Sequence, residues 1–282
     1  METGKVKIVT DSSAYLDPET IARYDIRIVP LRIGFGTEFF REGIDITNEE
    51  FYRRLVRSKK LPTTSQPPVS DFSQVYGELV QKGHSILSIH ISGKLSGTIN
   101  AAALAKKEYP EAQIEVIDSL FMPLRFFVVP GAEAGEQGKT LLEVKTIVEK
   151  IIRNVSVAAM LDTVEYLWKG GRIGRAKHLL GTLLNVKPII TVQGGEVDAL
   201  TKARSRAKGM EYMLDFMERR VGKSTSIRVG VIHTHALEAA MALKEKVQAR
   251  FNPVELRIIE FGPVLTTYMG PEALALGFHT DD

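Results

Sequence analysis

The chain contains no cysteine, which excludes disulfides, thiolate nucleophiles and cysteine zinc sites together and fits a reducing compartment. It has no stretch approaching the ~18 consecutive apolar residues of a membrane span. Residues 1–5 are polar, and the apolar run at residues 6–9 is far too short for a secretory signal core, so a cytoplasmic protein is expected. A strong excess of one charge is also missing. Lys and Arg number 37 against 34 Asp and Glu, a net charge of +3, which is too balanced for a dedicated nucleic-acid binder. Low-complexity linkers and internal repeats are absent. With 282 residues, and roughly 150 residues per domain as a guide, two domains are expected.

Short β-rich runs at residues 6–9, 26–33, 85–91 and 114–117 alternate with helical signals through the first half. Asp17-Pro18-Glu19 reads as an N-cap followed by a first-turn proline. Thr47-Asn48-Glu49-Glu50 and Thr140-Leu141-Leu142-Glu143 read as capping boxes. This alternation predicts an N-terminal α/β/α domain with a mostly parallel sheet over residues 1–153. Beyond it, the runs 187–192 and 197–202 flank Gln193-Gly194-Gly195-Glu196, a hairpin signal that demands antiparallel pairing. Helical stretches at 207–220 and 237–250, each followed by a β-rich run, complete a C-terminal α/β domain over residues 154–282. A largely antiparallel sheet covered by helices is expected there.

Three N-terminal strands run directly into hydroxyl residues: Thr10-Asp11-Ser12-Ser13, Ser92-Gly93-Lys94-Leu95-Ser96-Gly97-Thr98, and Asp118-Ser119. Ligands of parallel α/β sheets bind outside the carboxyl ends of the strands, so these loops share one rim. Ser96-Gly97-Thr98 also opens a helix whose first N–H groups favour a carboxylate or phosphate. Single serines and threonines at such places are most often plain N-caps; it is the convergence of three loops that points to a ligand. The segment Leu61-Pro62-Thr63-Thr64-Ser65-Gln66-Pro67-Pro68 adds three consecutive hydroxyls held between prolines, read as a stiff loop.

Other chemistry is weaker. Gly170-Gly171-Arg172-Ile173-Gly174-Arg175 fits neither GxGxxG nor GxxxxGK[ST] and follows helix-like sequence. With Lys169, Lys177 and His178 it forms one basic segment, and Lys202, Arg204, Arg206 and Lys208 form another. These are most simply solvated faces or a partner surface, and they define a nucleic-acid-binding regulator as one alternative. His233-Thr234-His235 at a strand end, with Asp11, defines a second, a metal-assisted phosphoesterase or hydrolase. HExxH, GxSxG and clustered carboxylates are all missing, so no metal and no catalytic residue is assigned.

Taken together, the stretches TDSS (residues 10–13), PTTSQP (62–67), LSGT (95–98), LDTVEYLWKGGRIGRAKHLLGTLLNVKPI (161–189), KARSR (202–206), HTHA (233–236) and FGPVLTTYMGPEALAL (261–276) resemble the DegV family of bacterial fatty-acid-binding proteins. The resemblance runs over nearly the full chain. It implies the same two-domain α/β architecture, with a long-chain fatty acid buried between or beneath the domains and no other cofactor. It also implies a non-catalytic carrier that presents the carboxylate to a separate ATP-dependent fatty acid kinase, which makes the acyl phosphate for phospholipid synthesis. Thr64 and Ser96 match the hydroxyls that bind the carboxylate, and Arg204 matches an arginine associated with kinase engagement. The expected ligand set further includes Thr63, Ser65, Gly97, Thr98, Ser12 and Thr267, and Arg172 joins Arg204 on the expected partner surface. Two departures stand out. Tyr268 occupies a position where the family usually has histidine, and Arg125 and Phe127 lie near positions where glycine is usual. The reading therefore adds Tyr268 and Arg125 to the head-group candidates and expects a reshaped tunnel.

Overall fold

The computed structural model describes residues 4–58, 60–181 and 186–281. Residues 182–185 of the 161–189 motif lie outside the described residues. The chain divides into two compact units, Met1–Arg153 and Asn154–Asp282.

In the first unit the elements run β1 (Val6–Asp11), α1 (Pro18–Tyr24), β2 (Arg27–Val29), β3 (Arg32–Phe35), β4 (Glu38–Arg41), α2 (Asn48–Arg57), β5 (Thr63–Ser65), α3 (Val69–Gln81), β6 (Ser85–His90), α4 (Thr98–Lys106), β7 (Ile114–Asp118), α5 (Arg125–Glu136) and α6 (Leu141–Asn154). Strands β2-β1-β6-β7 form a four-stranded, wholly parallel sheet, as the alternation of β and α signals predicts. The helix starts follow the caps read from the sequence: Asp17 accepts from Thr20 N–H at 2.8 Å and Thr47 from Glu50 N–H at 3.2 Å. Thr140 and Glu143 close a reciprocal box.

One side of this sheet carries a core in which Val9, Val29, Ile86 and Ile114 meet Phe72, Tyr76 and Leu79 of α3 and Ala101, Ala102 and Ala105 of α4. On the other, α5 approaches through Gly131, close to Ile8, Ile89 and Val148, and through Gly135. A Cβ on Gly135 would stand 2.6 Å from the carbonyl oxygen of Val6, a backbone atom with nowhere to go. Gly135→Ala is therefore expected to destabilise the protein by about 1–3 kcal/mol through overpacking, read as a lower urea midpoint with an unchanged slope.

The expected single strand at residues 26–33 is in fact two. Pro30 lacks an N–H for ladder pairing, and the chain passes from β2 in the parallel sheet to β3 in a separate three-stranded antiparallel sheet, β4-β3-β5. The Thr63–Ser65 segment, expected as a loop, is strand β5 of this small sheet, with Thr64 opposite Ile33 and Ser65 opposite Arg32.

The second unit contains β8 (Ser156–Met160), α7 (Glu165–Lys169), β9 (Lys187–Gln193), β10 (Glu196–Ala203), α8 (Arg206–Val221), β11 (Ile227–His233), α9 (Leu237–Phe251), β12 (Glu255–Glu260), α10 (Pro263–Met269) and β13 (Leu274–Thr280). The six-stranded sheet has the order β10-β9-β8-β13-β11-β12 and is antiparallel except for β11 and β12, which the crossover helix α9 makes parallel. The predicted hairpin is present: Gln193 pairs with Glu196 around Gly194 and Gly195, whose φ values of +57° and +85° explain the glycines. Met210, Met213, Leu214 and Met217 of α8 and Ala240, Leu243 and Val247 of α9 cover the inner strands, including Leu274, Leu276 and Phe278 of β13.

Candidate functional site

The register Thr10↔Ile89 and His90↔Asp118 brings the carboxyl ends of β1, β6 and β7 level, so the three hydroxyl loops emerge side by side. They are also bonded to each other. The Asp118 carboxylate accepts from Gly93 N–H (3.1 Å) and Leu120 N–H (2.9 Å), and Ser119 N–H reaches the carbonyl of His90 at 3.0 Å. Within the middle loop, the Ser92 carbonyl accepts from Leu95 and Ser96 N–H, which winds the chain into the first turn of α4. Ser96 Oγ, half-buried, lies 2.8 Å from the buried Thr98 hydroxyl and accepts from Thr98 N–H.

Strand β5 reaches the same place. A Cβ on Gly97 would fall 1.8 Å from Gln66 Oε1, so glycine is what lets the segment after β5 lie against the opening of α4. Thr64, half-buried between the exposed Thr63 and Ser65, stands two residues before this contact. The structure thus gathers Thr64, Ser96, Gly97 and Thr98 into one region of the first unit.

It gives other expected residues different work. Ser12 Oγ donates to the buried carboxylate of Glu42 (2.5 Å) and accepts from Leu31 N–H (3.0 Å), while Tyr15 also donates to Glu42. Arg125 is buried with its guanidinium 3.0 Å from Asp17. Burial opposes ionisation of Asp17, but hydrogen bonds from Thr20 and the charge of Arg125 hold its carboxyl down to about 2. Arg125 therefore anchors the start of α1. Phe127 is fully buried against Phe121 in an edge-on pair.

In the second unit, Thr267 is buried and donates to the carbonyl of Pro263. The half-buried ring of Tyr268 packs where a Cβ on Gly170 would stand 2.5 Å from it, and the Arg172 guanidinium sits 5.1 Å from the ring centroid. Arg204 is exposed beyond the end of β10.

The HTHA motif is a latch. Thr234 Oγ1 donates to the carbonyl of Gly270 (2.7 Å) and accepts from Ala273 N–H (2.8 Å), fixing the turn between α10 and β13. His233 is buried and its Nδ1 accepts from Ala236 N–H, whereas His235 is exposed on left-handed backbone. Among the described residues no group of three His, Asp or Glu is placed to hold a metal. Burial lowers the pKa of both His233 and His279 below the ordinary value near 6.5. The unfolded chain then binds more protons than the folded one just below that value. Stability is complete above about pH 6.5 and declines as pH falls toward the depressed folded values. Denaturation midpoints should drop between about pH 7.5 and 5.5, and His279→Gln should flatten that slope.

Ion pairs break up the basic segments. Lys169 pairs with Glu165, Arg175 with Asp198, and Arg206 with Glu272. Among the described residues no helix is long and apolar enough to cross a membrane.

His90 is not among the residues that the sequence motifs single out. It lies on β6 with Ser88, and the spacing Ser88-x-His90 at the end of an apolar strand was the available signal, since a period of two puts both on one buried face. Ser88, His90 and Asp11 form an aligned hydrogen-bonded series reminiscent of a hydrolase triad. Ser88 is fully buried and accepts from Tyr76, so the series runs inside the core of the first unit.

A parallel-sheet unit with bonded hydroxyl loops at its carboxyl edge, and a mostly antiparallel unit with a threonine-latched turn, define a two-unit α/β protein. The chain belongs to the DegV family: the model of that family, described as an uncharacterised protein, matches residues 5–281. A DegV domain-containing protein from Clostridium acetobutylicum is 34% identical, with 98% of each chain covered. Among solved structures, the fold is similar to a fatty-acid-binding DegV family protein from Thermus thermophilus, with a TM-score of 0.93 at 33% identity over 98% of this chain and 99% of that one. DegV from Bacillus subtilis, a fatty acid binding protein, has a TM-score of 0.89 at 30% identity, covering 99% and 100%.

Proposed function

We propose that this protein is a cytoplasmic, non-catalytic carrier that binds a long-chain fatty acid and presents its carboxylate to a separate kinase for acyl-phosphate formation in phospholipid synthesis. The observation that carries the reading is the meeting of the Thr63–Ser65 strand with the opening of α4 at Gln66 and Gly97. That contact brings two hydroxyl segments and a helix N-terminus, all suited to a carboxylate, to the carboxyl edge of a parallel sheet. Fatty acid binding by the relatives from Thermus thermophilus and Bacillus subtilis supports the same ligand class.

In this reading Thr64 and Ser96 donate to the carboxylate, and Thr63, Ser65, Gly97 and Thr98 shape the surrounding backbone. Ser12 and Arg125 support the loops from behind, through Glu42 and Asp17. An apolar cavity supplies affinity at ~0.8 kcal/mol per buried CH₂. The hydroxyls prevent an unsatisfied carboxylate and fix its orientation. In the second unit, the exposed Arg204, together with Arg172, forms the surface offered to the kinase, with Thr267 holding α10 in shape. Tyr268 in place of histidine leaves a single hydroxyl without histidine's positive charge at that position.

Native mass spectrometry of the purified protein tests the ligand class. One acyl chain per protein is expected, either co-purified or taken up from added palmitate. A protein that carries none and takes up none would not be a fatty-acid carrier.

A further inference from the structure

Tyr76, Ser88, His90 and Asp11 are each fully buried and joined in one hydrogen-bonded chain. The Tyr76 hydroxyl donates to Ser88 Oγ (2.7 Å), Ser88 Oγ lies 2.7 Å from His90 Nε2, and His90 Nδ1 lies 3.1 Å from Asp11 Oδ2. Burial pushes the Tyr76 phenol pKa up, which keeps it a donor. With Tyr76 donating, the one Ser88 proton points to His90 Nε2, and His90 Nδ1–H points to Asp11. The edge-on Phe72 ring, 5.0 Å away, holds the imidazole plane.

Burying four polar groups is costly unless each is satisfied, and a core of Leu and Val would avoid the cost. The end of the chain shows what it secures. Asp11 Oδ2 also accepts from Ile91 N–H (3.1 Å), and Oδ1 accepts from the N–H and hydroxyl of Ser13. Ile91 is the first residue beyond β6. The next carbonyl, Ser92, accepts from Leu95 and Ser96 N–H. From Asp11 the connection to the backbone of Ser96 runs through the Ile91 N–H bond, the peptide backbone of Ile91 and Ser92, and the Ser92 carbonyl.

We propose that His90 and Asp11 are positioning residues that set where Ser96 presents its hydroxyl, and thereby give the site its preference for a carboxylate over an uncharged head group. The inference rests on the fatty-acid reading of Ser96. A purely structural role would weaken every ligand alike, whereas a positioning role changes the ratio between ligands that share an acyl chain and differ in the head.

The test is equilibrium binding of palmitate and methyl palmitate to the full chain and to His90→Gln, Asp11→Asn and Tyr76→Phe, with thermal melting of each. The unaltered protein should prefer palmitate. His90→Gln and Asp11→Asn should lower palmitate affinity about tenfold and leave methyl palmitate within about twofold. Tyr76→Phe removes only the far end of the chain, so it should fold even where the others do not, and should reduce the preference about threefold. Folded variants with an undiminished preference, or with equal losses for both ligands, overturn the inference while leaving the fatty-acid reading in place. An unaltered protein that binds neither ligand overturns that reading and this inference with it.

Discussion

Replacing Thr64 by Val and Ser96 by Ala in the same chain is expected to lower palmitate affinity by about 100-fold, with each single change giving about tenfold. Hydrogen bonds to a charged group contribute roughly 1.5–3 kcal/mol each, and about 1.4 kcal/mol is a factor of ten in affinity. Val keeps the shape of Thr, and Thr64 and Ser96 are only half-buried, so little stability should be lost. The acyl chain should bind as before, which predicts that the double variant still takes up methyl palmitate. Fluorescence displacement by the two ligands, in parallel, measures the difference. Equal affinity of variant and parent for palmitate would remove both residues from the head-group site.

The second large effect concerns stability. Thr234→Val should destabilise the protein by about 2–4 kcal/mol. The side chain is fully buried, and its hydroxyl bonds the carbonyl of Gly270 and the N–H of Ala273. Val fits the space but leaves both backbone groups unsatisfied, at roughly 1–3 kcal/mol for each buried group. The loss should appear in chemical denaturation. The turn following α10 should also become more open to hydrogen exchange, because Glu272 N–H and Thr234 N–H belong to the same latch. A change of less than about 0.5 kcal/mol would mean that the turn is held by its other contacts.

The loop hydroxyls and Thr234 differ in how far the amino-acid sequence reveals them. The hydroxyl loops can be placed on one rim because β and α signals alternate cleanly from β1 to β7, and a parallel sheet puts all its strand ends on one side. Thr234 belongs to a motif whose histidines draw attention as metal ligands. The fold depends instead on the residue between them, which sequence spacing does not distinguish. Pro30 is a local sign that the apolar run at 26–33 breaks, yet the small sheet that receives β3 depends on pairing with Thr63–Ser65, about thirty residues further along. Long-range pairing of three polar residues leaves no periodicity to read. Arg125 stands out in the sequence because it lies near a position where the resembled family usually has glycine, and a cation there calls for an anion. That anion is Asp17, legible as a helix cap, and its second role appears only in three dimensions. His90 is hidden for the opposite reason: a lone histidine within Ser85–His90 looks like an ordinary strand residue until Ser88 and Asp11 are found at its two ring nitrogens.

The central claim is that Thr64 and Ser96 hold a fatty acid by its carboxylate. A crystal structure of the palmitate-loaded protein tests it most directly. The prediction is acyl density ending in a carboxylate within about 3 Å of Thr64 Oγ1 and Ser96 Oγ. A carboxylate bound elsewhere, with those two hydroxyls turned to solvent or to other protein atoms, would contradict it.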